Sequence, residues 1–361
     1  MSIFGATTTD APRFDDEARR YDALLVLSFG GPEGPDDVRP FLQNVTAGRN
    51  VPAERLEEVA QHYLHFGGVS PINAQNRSLI AALDAELRAH GPQLPIYFGN
   101  RNWHPFVTDT IRLMRDDGVA RALVFVTSAF SSYSGCRQYR EDVIRALDTL
   151  DTATPQFDKL RVFYNHPGFI EPMIARTLAA LGRVPEERRD AARLAFTAHS
   201  IPLAMSRHCA YEAQLREASR LIAQGVGVGS HLLAYQSRSG PPHIPWLEPD
   251  VLDVLTALRG EGATDVVAVP LGFISDHMEV LFDLDTEARE AASRLGLTLI
   301  RAQTVGTDPA FVRMIRDLVA ERMTAFPERQ ALGNRGPNHD VCPLNCCLIG
   351  TGRPTKSAAA D

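Results

Sequence analysis

The stretch "DGVARALVFVTSAFSSYSG" (117–135) lies over "EGATDVVAVPLGFISDHME" (261–279) without a gap. Gly118 meets Gly262, the apolar runs coincide, Ser131 meets Ser275 and Tyr133 falls opposite His277. A second pair, "LLVLSFGGP" (24–32) and "LAFTAHSIP" (194–202), aligns on Pro32 and Pro202 and sets Phe29 opposite His199. Identity within each pair is low, but the order of apolar run, polar end and turn repeats. The pattern predicts an α/β fold of two similar doubly wound halves, each a parallel sheet covered on both faces by helices.

Around these pairs, short apolar runs alternate with helical patterns. "RALVFVTSAF" (121–130), "RLAFTAHS" (193–200) and "DVVAVPLGFI" (265–274) read as strands, with weaker candidates in "LPIYFGN" (94–100), "LRVFYN" (160–165) and "SHLLAYQSR" (230–238). In "SPINAQNRSLIAALDAELRAHG" (70–91), Ser70 reads as an N-cap and Pro71 as the first turn, with Leu79, Leu83 and Leu87 every four residues. The expected division is a flexible leader over 1–20, a first half over 21–165, a second over 166–326 and a cysteine-bearing tail over 327–361.

Composition limits the function. With 37 Lys and Arg against 44 Asp and Glu, the net charge of −7 argues against a broad polyanion-binding surface, so no nucleic-acid partner is expected. No apolar run approaches the ~20 residues needed to span a bilayer. The start lacks a basic segment followed by an apolar core, so a cytoplasmic protein without integral membrane contact is expected.

In open α/β sheets the ligand lies beyond the carboxyl ends of the strands, and all four paired runs carry polar residues there. His199 ends an apolar strand in "FTAHSIP". A lone histidine at such a place is most simply a half-buried group bonded to backbone. A second strand end that supplies His277 and Glu279 changes the reading, because a neutral imidazole beside a carboxylate can take a proton or bind a divalent metal. In "GFISDHMEVLFDLDTEA" (272–288), Glu279, Asp283 and Glu287 recur every four residues and share one helix side. The plain alternative is a solvated stripe, favoured for Asp285 and Glu290; the functional one is a path that passes metal ions inward.

Together, "LSFGGPEGPDDVRPFLQNV", "FTAHSIP", "YQSRSGPPHIPWLEPD" and "VPLGFISDHMEVLFDLDTEA" resemble ferrochelatases, enzymes that insert ferrous iron into a porphyrin. The likeness runs from about Tyr21 to about Phe326. It implies two Rossmann-like halves facing a porphyrin cleft, the type II chelatase architecture, with His199 as the porphyrin-facing catalytic histidine and Glu279 as its acidic partner. His277 would orient Glu279 or receive iron, and Asp283 and Glu287 would extend the polar route outward. A non-catalytic porphyrin or haem carrier, and a cobalt or nickel chelatase, are the rival readings.

"CPLNCC" places Cys342, Cys346 and Cys347 within six residues. A [2Fe–2S] cluster needs a fourth thiolate. Cys136 in "SGCRQYRED" is the better candidate, Cys209 being left over, and similarity to actinobacterial-type ferrochelatases supports the cluster. Zinc would use the same thiols. The same likeness points to coproporphyrin III rather than protoporphyrin IX as the porphyrin partner, a monomer, and a downstream haem-pathway enzyme as recipient. Substrate contacts are expected from Arg49, Tyr63, Ser70 and Phe29. Tyr133 would supply a hydroxyl that Phe29 lacks, while Trp103 and Trp246 could stack on the ring or simply pack.

Overall fold

The structure is a computed structural model and describes residues 11–48, 51–150, 154–239 and 243–350. Strands β1 (Ala23–Ser28), β2 (Ile96–Asn100), β3 (Arg121–Val126) and β4 (Gln156–Lys159) form one sheet in the order β2-β1-β3-β4. Strands β5 (Arg193–His199), β6 (His231–Gln236), β7 (Asp265–Val269) and β8 (Thr298–Arg301) form a second, β6-β5-β7-β8, and every pairing in both is parallel.

The two halves agree in register as well as order. Leu25 pairs with Val124 in the first sheet, and Ala195 pairs with Ala268 in the second. These are the residues that the two gapless alignments set opposite one another. Gly118 and Gly262 both turn with positive φ, 81° and 88°, the left-handed conformation that glycine adopts without a side-chain clash.

Two strand expectations need correction. "LRVFYN" is not a strand: Leu160, Val162, Phe163 and Tyr164 are apolar because they enter the central core, and the pairing strand is the preceding Gln156–Lys159. Thr298–Arg301, at the other sheet's edge, was not anticipated, being short and only partly buried. An edge strand meets one neighbour, so its sequence carries a weaker apolar signal.

In the first half the helices are α1 (Val38–Thr46), α2 (Ala53–His65), α3 (Ile72–His90), α4 (Val107–Asp116) and α5 (Gln138–Leu147). After them come α6 (Pro167–Leu181), α7 (Glu186–Arg189), α8 (Leu203–Ser206), α9 (Tyr211–Val226), α10 (Val251–Gly260), α11 (Met278–Leu281), α12 (Arg289–Leu295) and α13 (Pro309–Met323). Helix α3 buries Leu79, Leu83 and Leu87 as its spacing predicts, but begins one residue late: Pro71 is the N-cap and Ser70 lies outside, with no side-chain cap.

Successive strand residues point to opposite faces. Leu24, Val26, Leu123 and Phe125 face a core shared with Leu194, Phe196, Val267 and Val269 of the second sheet. Leu25, Leu27, Val124 and Val126 face outward into a separate cluster with Ile111 and Met114 of α4 and Val143 of α5. Helix α13 packs against both α3 and α6. Residues 1–10 of the expected leader lie outside the described residues. From Arg13 the chain is held, with Arg13 bridged antiparallel to Val341 and the buried Asp15 accepting from Arg322 at 3.0 Å.

Candidate active site and cysteine site

His199 is the last residue of β5, and its half-buried ring has Nδ1 2.5 Å from the Ser200 carbonyl oxygen. A carbonyl oxygen can only accept, so Nδ1 donates to it and Nε2 is the nitrogen left open. Tyr211 donates its hydroxyl to the His199 carbonyl at 3.0 Å, fixing the strand end. The adjacent β7 exit comes close enough that a Cβ on Gly272 would lie 2.7 Å from Ala198 Cα, so glycine is required there.

Beyond that exit, His277 stands at the N-cap position of α11, and its Nδ1 donates to Glu279 Oε2 at 2.5 Å. Burial raises the Glu279 pKa, but His277, by charge and hydrogen bond, and then His199 outweigh it and hold the carboxyl at about 2. The helix then widens: Glu287 N bonds to Phe282 O at 2.9 Å, an i→i+5 bond within the π-helical turn Asp283–Ala288. Burial pushes Asp283 up to about 7, with Glu279 and Glu287 adding to the rise and a Ser237 hydrogen bond opposing it. Glu279 and Asp283 are half-buried and Glu287 is exposed, so the series runs outward to solvent.

Two of the acidic partners are residues that sequence reasoning missed. Gln236 ends β6 and donates its Nε2 to the Glu279 carbonyl and, at 3.4 Å, to Asp283 Oδ2. Ser237 donates its hydroxyl to the same Asp283 oxygen and holds a φ of 61°, unusual for a residue with a Cβ. "YQSR" offered polar residues at a strand end as its only signal.

Other acids are structural. Asp276 accepts from Arg301 at 3.1 Å and Thr304 at 3.2 Å, and Asp285 accepts from Arg301 Nε at 2.8 Å. Asp285 is therefore not the solvent-facing residue expected, because β8 brings Arg301 beneath it. Glu290 is exposed.

Helix α2 covers the acidic segment, with His62 stacked on Phe282 at 3.7 Å between ring centroids. Tyr63 is buried beside Glu279 and Asp283; burial raises its hydroxyl pKa and both carboxylates add to it. Phe29 packs edge-on to Phe41 and lies 5.8 Å from the Arg101 guanidinium. Ser70 is buried against Gly31, and Arg49 lies outside the described residues. Tyr133 donates its hydroxyl to Glu141 at 3.0 Å. Trp103 is a packing residue that donates Nε1 to Asp37 at 3.3 Å, and Trp246 is half-buried.

The cysteines form a second site. Cys136, Cys342, Cys346 and Cys347 line one small cavity with Arg137, Arg140 and Lys159. Cys346 and Cys347 sulfurs are 3.4 Å apart, and His339 Nε2, another residue missed in the sequence, lies 3.3 Å from the Cys342 sulfur. Contacts with Cys342 and Cys347 pull the Cys136 thiol well below the ordinary thiol range. Burial opposes the charge on Lys159, but the four thiols raise its pKa. Three buried cysteines and the half-buried Cys346, in a cationic cradle, fit a group bound by thiolates. Cys209 stands outside this lining, with its sulfur donating to the Met205 carbonyl at 3.4 Å.

A family model described as Ferrochelatase matches residues 21–323. A coproporphyrin III ferrochelatase of Streptomyces griseus is 52% identical over 361 residues, covering 94% of this chain and 96% of that one. A coproporphyrin III ferrochelatase of Frankia alni is 55% identical, covering 94% and 89%, and a ferrochelatase of Rhodopirellula baltica is 53% identical, covering 92% and 95%. Among solved structures, SirB from Bacillus subtilis with Fe3+ superposes with a TM-score of 0.51 at 11% identity, over 84% of this chain and 96% of that one. A multi-domain Deinococcus radiodurans protein with structural similarity to chelatases gives 0.50 at 15% identity, over 88% and 57%. These two likenesses concern the fold alone. Among the described residues, no helix is long and apolar enough to cross a membrane.

Proposed function

The chain belongs to the ferrochelatase family, and from that premise we propose that it inserts Fe2+ into coproporphyrin III. The products are Fe-coproporphyrin (coproheme) and two protons, a step of haem biosynthesis. The observation that carries this reading is the pairing of a histidine at the end of β5, its Nε2 open, with an ionised glutamate in α11, beyond the adjoining β7, that is hydrogen-bonded to a second histidine. The substrate named for the Streptomyces and Frankia relatives supports the choice of porphyrin.

Insertion exchanges two pyrrole protons for one metal ion, so a base must accept protons as the nitrogens become ligands. His199 takes a proton through Nε2, and the negative charge of Glu279 stabilises the imidazolium that forms. His277 orients Glu279 and passes the proton on. Asp283, which titrates near neutrality, and the exposed Glu287 continue the line toward water. Oxygen ligands of this kind bind a divalent ion weakly enough to release it.

The test is anaerobic Fe2+ insertion with coproporphyrin III and protoporphyrin IX in parallel. Rapid conversion of coproporphyrin is expected, reduced about 10²- to 10⁴-fold in His199→Ala. Tight porphyrin binding without insertion would overturn the reading and favour a carrier.

We further propose that Cys136, Cys342, Cys346 and Cys347 hold a [2Fe–2S] cluster in a cytoplasmic protein. The role expected of such a cluster is structural, since insertion of Fe2+ transfers no net electron. The chain's own part is to gather four thiolates and offset their charge with Lys159 and Arg140. Equal iron and acid-labile sulfide in anaerobically purified protein, retained in Cys209→Ser, are expected; zinc alone would refute the cluster.

A further inference from the structure

Tyr133 and Cys136 belong to one five-residue π-helical turn, Tyr133–Arg137, that follows β3. The turn is tied on two sides. Ser132 accepts from Gly135 N at 2.8 Å, and Cys136 N bonds to the Ser132 carbonyl at 3.0 Å. Glu141, one turn on in α5, receives the Tyr133 hydroxyl on one oxygen at 3.0 Å and Arg137 Nε on the other at 2.9 Å. Arg137 Nη1 then donates to the carbonyls of Leu344 at 2.6 Å and Cys346 at 3.0 Å. A continuous bonded path therefore runs from the Tyr133 phenol through Glu141 and Arg137 to the backbone of the cysteine tail.

The path is buried: the Arg137 and Glu141 side chains are 7% and 8% exposed. In such surroundings a charge-assisted hydrogen bond is stronger than in water and its geometry is held closely. At the Tyr133 end, Asp142 beside Glu141 binds Arg101, whose guanidinium lies 5.8 Å from the Phe29 ring centroid. This separate contact sets Arg101 between α5 and Phe29, which lies just past β1.

We infer that Glu141 and Arg137 are positioning residues through which the cysteine-bound group holds Tyr133 in the cleft, so that porphyrin affinity depends on loading of the cysteines. This rests on the reading of the cleft as a porphyrin site. A group bound by Cys136 and Cys346 fastens both ends of the path, and its loss frees the turn and the tail carbonyls together.

The experiment uses full-length protein purified anaerobically, with iron and sulfide assayed in every sample. Coproporphyrin III is titrated by fluorescence into wild type, Glu141→Gln, Tyr133→Phe and the double variant, and insertion kinetics are recorded. Glu141→Gln is expected to keep its metal content while Kd and KM for coproporphyrin III rise about three- to tenfold, the scale of one lost hydrogen bond, with kcat changed less. The double variant should be no weaker than the weaker single, because both act on one contact. Cys342→Ser, lacking the bound group, should show the same weakening, with Glu141→Gln adding nothing to it. Additive losses, or unchanged affinity in metal-free Cys342→Ser, would overturn the inference. If Cys342→Ser does not fold, coproporphyrin III affinity is instead read across wild-type samples of differing iron and sulfide content, and an affinity that does not change with that content overturns the inference. Wild type that binds no coproporphyrin III is a separate result and removes the porphyrin reading itself.

Discussion

Gln236 aims its side-chain amide at two acceptors, the Glu279 carbonyl and the Asp283 carboxylate, from a position 1% exposed. Replacing it with leucine takes the amide donor from the half-buried Glu279 carbonyl and leaves Asp283 with the hydroxyl of Ser237, just past β6. Such an unmet acceptor costs about 1–3 kcal/mol. Gln236→Leu is therefore expected to lower stability by about that amount and to raise the Fe2+ requirement for insertion while leaving coproporphyrin III affinity unchanged. Chemical denaturation and metal-dependent kinetics check the two halves of the prediction. Nothing in the sequence tied Gln236 to Asp283, which is 47 residues away. His199 and Glu279, by contrast, are candidates from the sequence alone, because His199 ends an apolar run and Glu279 lies five residues past another.

At the scale of an element, α6 depends on the state of its N-cap. His166 is 2% exposed, and its Nδ1 accepts from Gly168 N at 3.0 Å. Protonation would place a second donor against that N–H. Burial, reinforced by the nearby Arg161 charge, lowers the His166 pKa from 6.5 to about 3. As the pH falls below 6.5 the unfolded chain binds the proton first. The stabilisation is therefore complete above that value and is lost toward pH 3, a change of order 4 kcal/mol. Denaturation midpoints measured from pH 7.5 to pH 4 should fall accordingly. His166→Asn, which can cap without titrating, should flatten the slope. The acidic segment teaches a related point. Its four-residue spacing was visible, but the π-helical turn that widens it was not, since an i→i+5 bond leaves no periodic trace distinct from an α-helix over so few residues.

Across the whole molecule, the first-half exit from β4 is fastened to the last helix by a buried ion pair. Arg161 donates to both carboxylate oxygens of Glu321, at 2.7 and 2.8 Å, with side chains 1% and 7% exposed. Removing one partner leaves a buried charge without its counter-ion, so Glu321→Ala is expected to cost about 3–5 kcal/mol. An Arg161→Met, Glu321→Leu double substitution should cost less than Glu321→Ala, because burying an apolar pair carries no desolvation penalty. Guanidinium denaturation of the three proteins provides the comparison.

The sequence by itself determined the repeat, the two strand sets at the centre of each sheet, the catalytic candidates at their ends and the cysteine triplet. Each of these is written within a single element or its turn: an apolar run, a glycine at positive φ, a polar residue after the last buried position. Tertiary structure alone decided the edge strands Gln156–Lys159 and Thr298–Arg301, the diversion of Asp276 and Asp285 to Arg301, the donors to Asp283 and the place of His339 beside Cys342. Those contacts arise from sheet order and helix packing. A side chain's own sequence neighbourhood is nearly the same whichever distant partner it meets.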